Sequence, residues 1–218
     1  MNATVLFSGG KDSGLATLLL EPFFEEIDLV TFTFGHDQAW KVAERAATVL
    51  GHPHRKIVFE EGVLEKALEI LMAKGFPNDA LNYVHSIAVE TLAQDCEFVA
   101  DGTRRDDRAP KVSYSEIRSL EDRMHMHYLR PLAGLGGKTI RAMASRYLDF
   151  EEMLSEEYPA SDFEIGLRYA LAQRHGHKEV DRIFPGNHTH TRIIRRKKFV
   201  QEVEGQEDQA CQGIQSES

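Results

Sequence analysis

Cysteine is nearly missing from this chain: its 218 residues hold two, Cys96 and Cys211. Two cysteines cannot build a disulfide framework, and they exclude a four-cysteine zinc or iron–sulfur centre. Long apolar runs are missing as well. None approaches the roughly 20 residues that span a bilayer, so no membrane partner is expected. The opening Met1-Asn2-Ala3-Thr4-Val5-Leu6-Phe7 has neither a basic start nor a small-residue cleavage site, and it reads as part of the fold rather than as a secretory leader. Excess positive charge is absent: 26 Lys and Arg face 35 Asp and Glu, a formal net charge of −9. A globally acidic chain is a poor general nucleic-acid coat. Tryptophan occurs once, at Trp40, where core packing is its simplest use. The remainder is ordinary: 42% hydrophobic and 28% charged residues allow a buried core and argue against wholesale disorder. A cytoplasmic protein of one domain, with a small appendage at most, is expected.

Strand and helix signals alternate along the first two thirds. Short apolar or β-branched runs at 4–7, 27–34, 55–59, 97–100 and 128–132 read as strands. Between them, 13–20, 63–73, 78–93 and 138–147 have helical spacing. Another helix runs from a cap at Asp37 to Leu50 and stops at Gly51, and one more starts at Ser113 or Ser115. Ser115-x-x-Arg118 lacks the acidic last position of a capping box. Such repeated units imply an α/β fold with a parallel sheet and helices on its faces. After Leu132 strand signals become scarce. Residues 163–174 read as a helix bounded by Gly176, and Phe184-Pro185-Gly186-Asn187 as a turn. The expected division is an α/β nucleotide-binding domain at 1–148, a mainly helical C-terminal extension at 149–204, and a disordered tail at 205–218.

The sharpest feature is Ser8-Gly9-Gly10-Lys11-Asp12-Ser13, which follows the first strand and opens the first helix. At such a junction the first peptide N–H groups of the helix lack backbone partners. They converge on a point that also feels about half an elementary charge from the helix dipole. That point suits a phosphate or pyrophosphate. Gly9 and Gly10 allow the backbone to approach an anion and to take positive φ. Ser8 and Ser13 add hydroxyl donors, and Lys11 adds a full positive charge. Asp12 would hold Mg²⁺ between itself and the phosphates. The plainer alternative is a tight Gly-Gly turn with a serine cap, but two serines, a lysine and an aspartate in six residues favour the phosphate. A Walker A loop fails here, because its first glycine would fall at Val5 and Asp12 replaces Ser or Thr. Gly137-Lys138-Thr139 fails too, with Leu132 at that position. A dinucleotide G-x-G-x-x-G is also absent, since Gly134 and Gly136 are followed by Thr139.

This segment resembles the PP-loop of the ATP pyrophosphatases, the adenine nucleotide alpha-hydrolase-like superfamily. Gly102-Thr103-Arg104-Arg105-Asp106-Asp107 is similar to a Gly-[His/Thr]-x-x-Asp-Asp loop of its tRNA-modifying members. Arg130-Pro131-Leu132 followed by Lys138-Thr139-Ile140 resembles their Arg-Pro-Leu…Lys-x-Glu-Ile segment, with Thr139 in place of Glu. The three segments reach from the start of the chain to about Arg146. The resemblance implies a Rossmann-like (HUP-type) open sheet of about five strands. It implies an enzyme that cleaves ATP between the α and β phosphates, adenylates a substrate and releases pyrophosphate. The acceptor would be a tRNA base, or a small carboxylate or amide. Carried over by residue, Ser8, Gly9, Gly10, Lys11 and Ser13 would hold the β and γ phosphates, and Asp12 would be the Mg²⁺ ligand. Phe34 and Phe7 would flank the adenine, Gly102 and Thr103 would approach the α phosphate or ribose, and Asp106 and Asp107 would sit at the reacting end. The chain departs from the thiolating members, which carry a Cys-x-x-Cys, and from cysteine-ligated zinc branches. It also lacks the Glu-Tyr-Glu motif of the diphthamide ammonia ligases. An uncharacterised, archaeal branch is the best placement.

Other residues are weighed beside these. Arg104, Arg105 and Arg108 could clamp phosphate or substrate, or form a solvated loop face. Asp106 or Asp107 could bind metal or act as a base, or cap a turn. His36 follows the second strand and lies near the expected nucleotide, whereas His85 reads as a core or helix-surface residue. Eight of the ten histidines form His-x-His pairs, which on an extended segment put two ligands on one face but need a third from elsewhere. Among them, His188 and His190 flank a basic cluster and could contact substrate. That cluster, Arg192, Arg195, Arg196, Lys197 and Lys198, could meet RNA phosphates. Helices after Tyr147 could pair subunits into a homo-oligomer. The competing functions are a non-catalytic adenine-nucleotide sensor and a structural protein with a vacant loop.

Overall fold

The computed structural model describes residues 1–36, 38–154, 162–184 and 189–198. The Asp37 cap, the 185–187 part of the turn, His188, Cys211 and the expected tail lie outside these residues. Five strands form one sheet: β1 (Asn2–Leu6), β2 (Glu26–Thr33), β3 (His54–Val58), β4 (Phe98–Ala100) and β5 (His127–Leu129). Their spatial order is β3-β2-β1-β4-β5, and every pairing is parallel. This is the Rossmann-like α/β sheet expected. β5 is shorter than its sequence suggests. Pro131 has no amide to donate, and turns through Ala133–Arg130 and Leu135–Leu132 backbone bonds take over at once.

Period-two alternation along the strands sorts side chains to two faces. Leu6, Val30, Phe32 and Val99 pack beneath α3 (Val63–Lys74), α4 (Asn78–Leu92), α7 (Phe163–His175) and α8 (His177–Ile183). Val5, Phe7, Ile27, Leu29 and Ala100 pack on the other face with α2 (Trp40–Leu50), whose residues Ala43, Ala46 and Ala47 are fully buried. α1 (Lys11–Leu20) and α6 (Gly137–Tyr147) join through Leu15, Ala16, Ile140 and Ala144 on that same side. α2 stops where Gly51, at φ 85°, donates its amide to Ala47 in a left-handed cap. α5 (Tyr114–Met124) opens on a complete capping box, with Ser113 and Glu116 exchanging hydrogen bonds. The Ser115 frame considered from sequence was therefore out by two residues.

Beyond Tyr147, where a mainly helical extension was expected, the described residues form α7 and α8 but also two strands that the sequence did not suggest. β6 (Leu148–Leu154) and β7 (Thr189–Arg196) pair antiparallel, with a bulge at Asp149/Phe150. Asp149 stands opposite Arg195, and Glu151 opposite Arg192. These charged, non-alternating segments look unlike strands singly; their complementarity appears only when residues more than 40 apart are aligned. This hairpin packs on α2 and the start of α1. Ile193 fills the space beside Gly14, where a Cβ would lie 2.3 Å from its Cδ1.

Candidate functional site

The chain leaves β1 and β4 in opposite senses, to α1 and toward α5. The carboxyl ends of these neighbouring strands therefore open a crevice, the place where open α/β sheets bind ligands. The β1–α1 loop forms one wall. Gly9 takes φ 76°, and a Cβ there would lie 2.9 Å from the Cα of Ala43 on α2. α1 begins at Lys11 with Gly10 as an N-cap that offers no side-chain bond. Among the described residues, the amides of Gly9, Gly10, Asp12 and Ser13 have no hydrogen-bond partner. The other two loop amides are engaged. Ser8 N donates to Ser13 Oγ at 3.3 Å, and Lys11 N donates to Thr191 Oγ1 of β7 at 3.0 Å. A further β7 contact, Ile193 N to Gly9 O at 3.1 Å, fixes the loop from the same side. Sequence gave no sign of this strap, because Thr191 is 180 residues from Lys11.

Lys11 Nζ lies 2.9 Å from Asp12 Oδ1. The contact is an ion pair with poor hydrogen-bond geometry, so buried Oδ1 makes no hydrogen bond. A single buried carboxylate oxygen, beside free amides and a lysine, fits Mg²⁺ shared with ligand phosphates and water. It does not fit an all-protein cage: among the described residues no group of three or more His, Cys, Asp or Glu could hold a metal. The same finding removes His52/His54, His125/His127 and His175/His177 as metal pairs.

The second wall follows β4. Asp101 is buried and accepts three hydrogen bonds, from Thr103 N at 2.9 Å, Thr103 Oγ1 at 2.8 Å and Tyr128 Oη, while His85 Nε2 lies 2.9 Å from its Oδ2 and is hydrogen-bonded to Tyr128 Oη at 2.7 Å. Burial opposes ionisation of Asp101, but His85, Tyr128 and Thr103 together hold its carboxyl below the usual carboxylate range. The Tyr128 phenol, buried beside that carboxylate, is pushed well above 10. This network presses the next residue against α1. A Cβ on Gly102 would lie 2.7 Å from Ser13 N, so only glycine permits the approach. The expectation that His85 is a core residue holds, yet it also faces the cavity. Asp101 was not singled out from sequence, since its partners come from α4 and β5.

Together the walls border an open cavity of about 300 Å³ lined by Phe7, Ser8, Asp12, Ser13, Gly102, Thr103 and Asp107, with Thr31 and Phe32 of β2, Asp162, which caps α7, and Phe163 of α7. Seven of the residues expected at a nucleotide site thus meet in one place. Gly9, Gly10, Lys11, Phe34, His36 and Asp106, also expected at the site, do not line it. Phe34 packs over Gly166, where a Cβ would lie 2.7 Å from its ring, and His36 stacks between Phe34 and Tyr169. Arg104 forms a two-nitrogen pair with Asp107 Oδ1 at 2.8 and 2.6 Å and lies 3.6 Å from Asp12 Oδ2. Asp106 accepts from Gly137 N at 2.9 Å, which holds its carboxyl below the usual range, helped by Arg104 and Arg105. Arg105 reaches Gly134 O at 3.4 Å, and Arg108 is exposed. His190 sits behind the cavity wall with Nδ1 2.9 Å from Asp162 Oδ2. Burial works against its protonation, but the Asp162 bond and charge raise its pKa above the ordinary imidazole value.

Four of the five cations in the basic cluster that ends β7 are already paired, Lys198 being the exception. Arg192 pairs with Glu151, Arg195 and Lys197 with Asp149, and Arg196 with Glu21 and the Leu50 carbonyl.

Fold and crevice together define a Rossmann-like α/β protein with a donor-rich turn at the point where strand order reverses. Within that class the chain belongs to the family of unknown function DUF7411, whose family model matches residues 1–195. It is 41% identical over 200 residues to the uncharacterized protein MJ0690 of Methanocaldococcus jannaschii, covering 92% of this chain and 98% of that one. It is also similar to a crystal structure described as a predicted subunit of tRNA methyltransferase from M. jannaschii. That likeness has a TM-score of 0.83 at 40% identity, over 92% of this chain and 100% of that one. A weaker likeness, TM-score 0.47 at 18% identity, is to an NH3-dependent NAD synthetase of Campylobacter jejuni, over 66% of this chain and 62% of that one. No helix among the described residues is long and apolar enough to cross a membrane.

Proposed function

We propose that the crevice binds ATP with its β and γ phosphates on the β1–α1 loop, and that the protein adenylates an acceptor. The observation that carries this reading is the set of unpartnered amides at Gly9, Gly10, Asp12 and Ser13 beside Lys11, on a loop whose Ser8, Asp12 and Ser13 line the cavity together with Gly102 and Thr103. In the reaction an acceptor oxygen bonds to the α phosphorus as the bond to the bridging oxygen breaks, and pyrophosphate leaves. Negative charge grows on the α phosphate and on the leaving group, where fixed amides and an ammonium stabilise it without reorganisation. Mg²⁺ on Asp12 would supply further charge neutralisation. Gly102 and Thr103 would stand against the α phosphate or ribose. The acceptor would enter past Asp107 and the Arg104 loop, with a tRNA base, a small carboxylate or an amide as its reacting group.

One observation favours a non-catalytic nucleotide sensor instead. Asp106 and Asp107 are already committed, to Gly137 and Arg104, and neither is poised as a base. The two readings separate on products. Incubating the protein with α-labelled ATP, Mg²⁺ and fractionated cell extract is expected to give labelled AMP in the fraction that holds the acceptor, bound to the acceptor oxygen until a nucleophile from the same fraction attacks the activated centre and displaces it. ADP as the product would reject adenylation, and binding without turnover in every fraction would favour the sensor.

A further inference from the structure

We propose that Tyr114 and the unpaired cations around it form a docking surface for single-stranded nucleic acid at the rim of the crevice. The proposal deepens the adenylation reading by naming the acceptor's class, and it rests on that reading only for the reaction that follows docking.

Tyr114 opens α5 with 83% of its surface exposed, the most exposed aromatic ring among the described residues. It is not a loose side chain on an empty surface. The Arg130 guanidinium lies 5.5 Å from its ring centroid, and Arg130 is itself held by a bond from Nη1 to Val112 O at 3.0 Å. A ring braced on a guanidinium and open to solvent suits an unstacked base, since every base offers a π-face.

The charges nearby favour the same ligand. Arg105, Arg108, Lys111 and Arg118 are exposed, and among the described residues none pairs with a carboxylate. Arg118 lies one turn beyond Tyr114, on the same helix face. The carboxylates interleaved with them are occupied: Asp106 by Gly137, Asp107 by Arg104, and Glu116 by the capping box with Ser113. The reverse holds on the β6–β7 hairpin, where Arg192, Arg195, Arg196 and Lys197 are all ion-paired. In a chain of net charge −9, residues 105–118 thus carry four exposed cations that no carboxylate neutralises. This segment leaves the cavity at Asp107, Ala109 and Pro110, so a strand lying along it reaches the crevice mouth. Phosphates would meet the cations while one base stacks on Tyr114.

The test is fluorescence anisotropy with a labelled, mixed-sequence single-stranded RNA of roughly 12 nucleotides, within the span such sites cover. Tyr114→Ala, at a position too exposed to unfold the chain, is expected to weaken binding about tenfold, while Tyr114→Phe keeps it. Lys111→Ala and Arg118→Ala are each expected to lower the slope of log affinity against log salt by about one. Arg195→Ala should leave affinity within about twofold. No binding at about 50 mM salt, or equal binding by Tyr114→Ala, overturns the proposal. So does a loss confined to Arg195→Ala. Stabilisation by ATP is measured on the same variants and is expected to be unchanged. If ATP stabilises the protein but RNA does not bind, this surface fails alone. If Tyr114-dependent RNA binding survives without any ATP effect, the surface stands and the nucleotide reading fails.

Discussion

Asp101→Ala is expected to cost about 3–5 kcal/mol of stability, because it removes the shared acceptor of several inward-facing donors. Its carboxylate is the common acceptor for half-buried Thr103, through N and Oγ1, and for buried Tyr128 Oη, and it lies 2.9 Å from buried His85 Nε2. Truncation strands those donors, and each buried donor without a partner costs about 1–3 kcal/mol, offset where water enters. For a chain of this length about 2–4 °C of Tm accompanies each kcal/mol, so a fall of roughly 6–20 °C is expected by calorimetry. The effect has a pH signature. The folded-state pKa of Asp101 is depressed, so its contribution is present above the unfolded value near 3.9 and is lost as pH falls through the folded value. The gap between the two proteins is therefore expected to be constant around neutrality and to narrow in acid below about pH 4. An Asp101→Ala protein as stable as its parent at neutral pH would remove Asp101 as the anchor of the second wall.

Gly9→Ala is expected to be the next most damaging change. Its φ of 76° costs a non-glycine residue about 1–2 kcal/mol. The added Cβ would lie 2.9 Å from Ala43 Cα and 3.2 Å from Ala43 N, backbone atoms of a fully buried helix position that cannot swing aside. Overpacking of this kind costs about 1–3 kcal/mol, for a total of roughly 2–5 kcal/mol. Gly134→Ala is the control, because a Cβ there meets nothing within 4 Å. Urea denaturation of the three proteins reads the difference directly, and equal midpoints for Gly9→Ala and Gly134→Ala would contradict the packing described.

These two residues also show what the sequence could reveal. Gly9 was legible, because a glycine pair between an apolar run and a helix start has few uses, and local backbone physics fixes them. The five strands and their parallel direction were legible for the same reason, since each strand–helix unit is specified by local pattern; their spatial order was not. Asp101 was not legible, because its meaning comes from His85 and Tyr128 on two other elements. Thr191 was hidden likewise, holding Lys11 N across 180 residues. The β7 cluster misled in the opposite direction. A run of arginines reads as free charge until Asp149, Glu151 and Glu21 are brought against it. Phe34 and His36 were expected beside a nucleotide because they follow β2. The helix α7, with Gly166 cleared to receive the Phe34 ring, draws them away from the crevice.

In the function proposed, the free amides of Gly9, Gly10, Asp12 and Ser13, with Lys11, hold the phosphates of ATP. Titrating ATP and Mg²⁺ into the protein while following Tm tests it most directly, since a ligand that binds the folded state must stabilise it by mass action. ATP at about 100 times its dissociation constant is expected to add about 2.7 kcal/mol, equivalent to roughly 5–11 °C. Lys11→Ala is expected to shift that response to higher ATP concentrations. A Tm that stays fixed across the whole ATP titration, or an equal response in Lys11→Ala, would contradict the account.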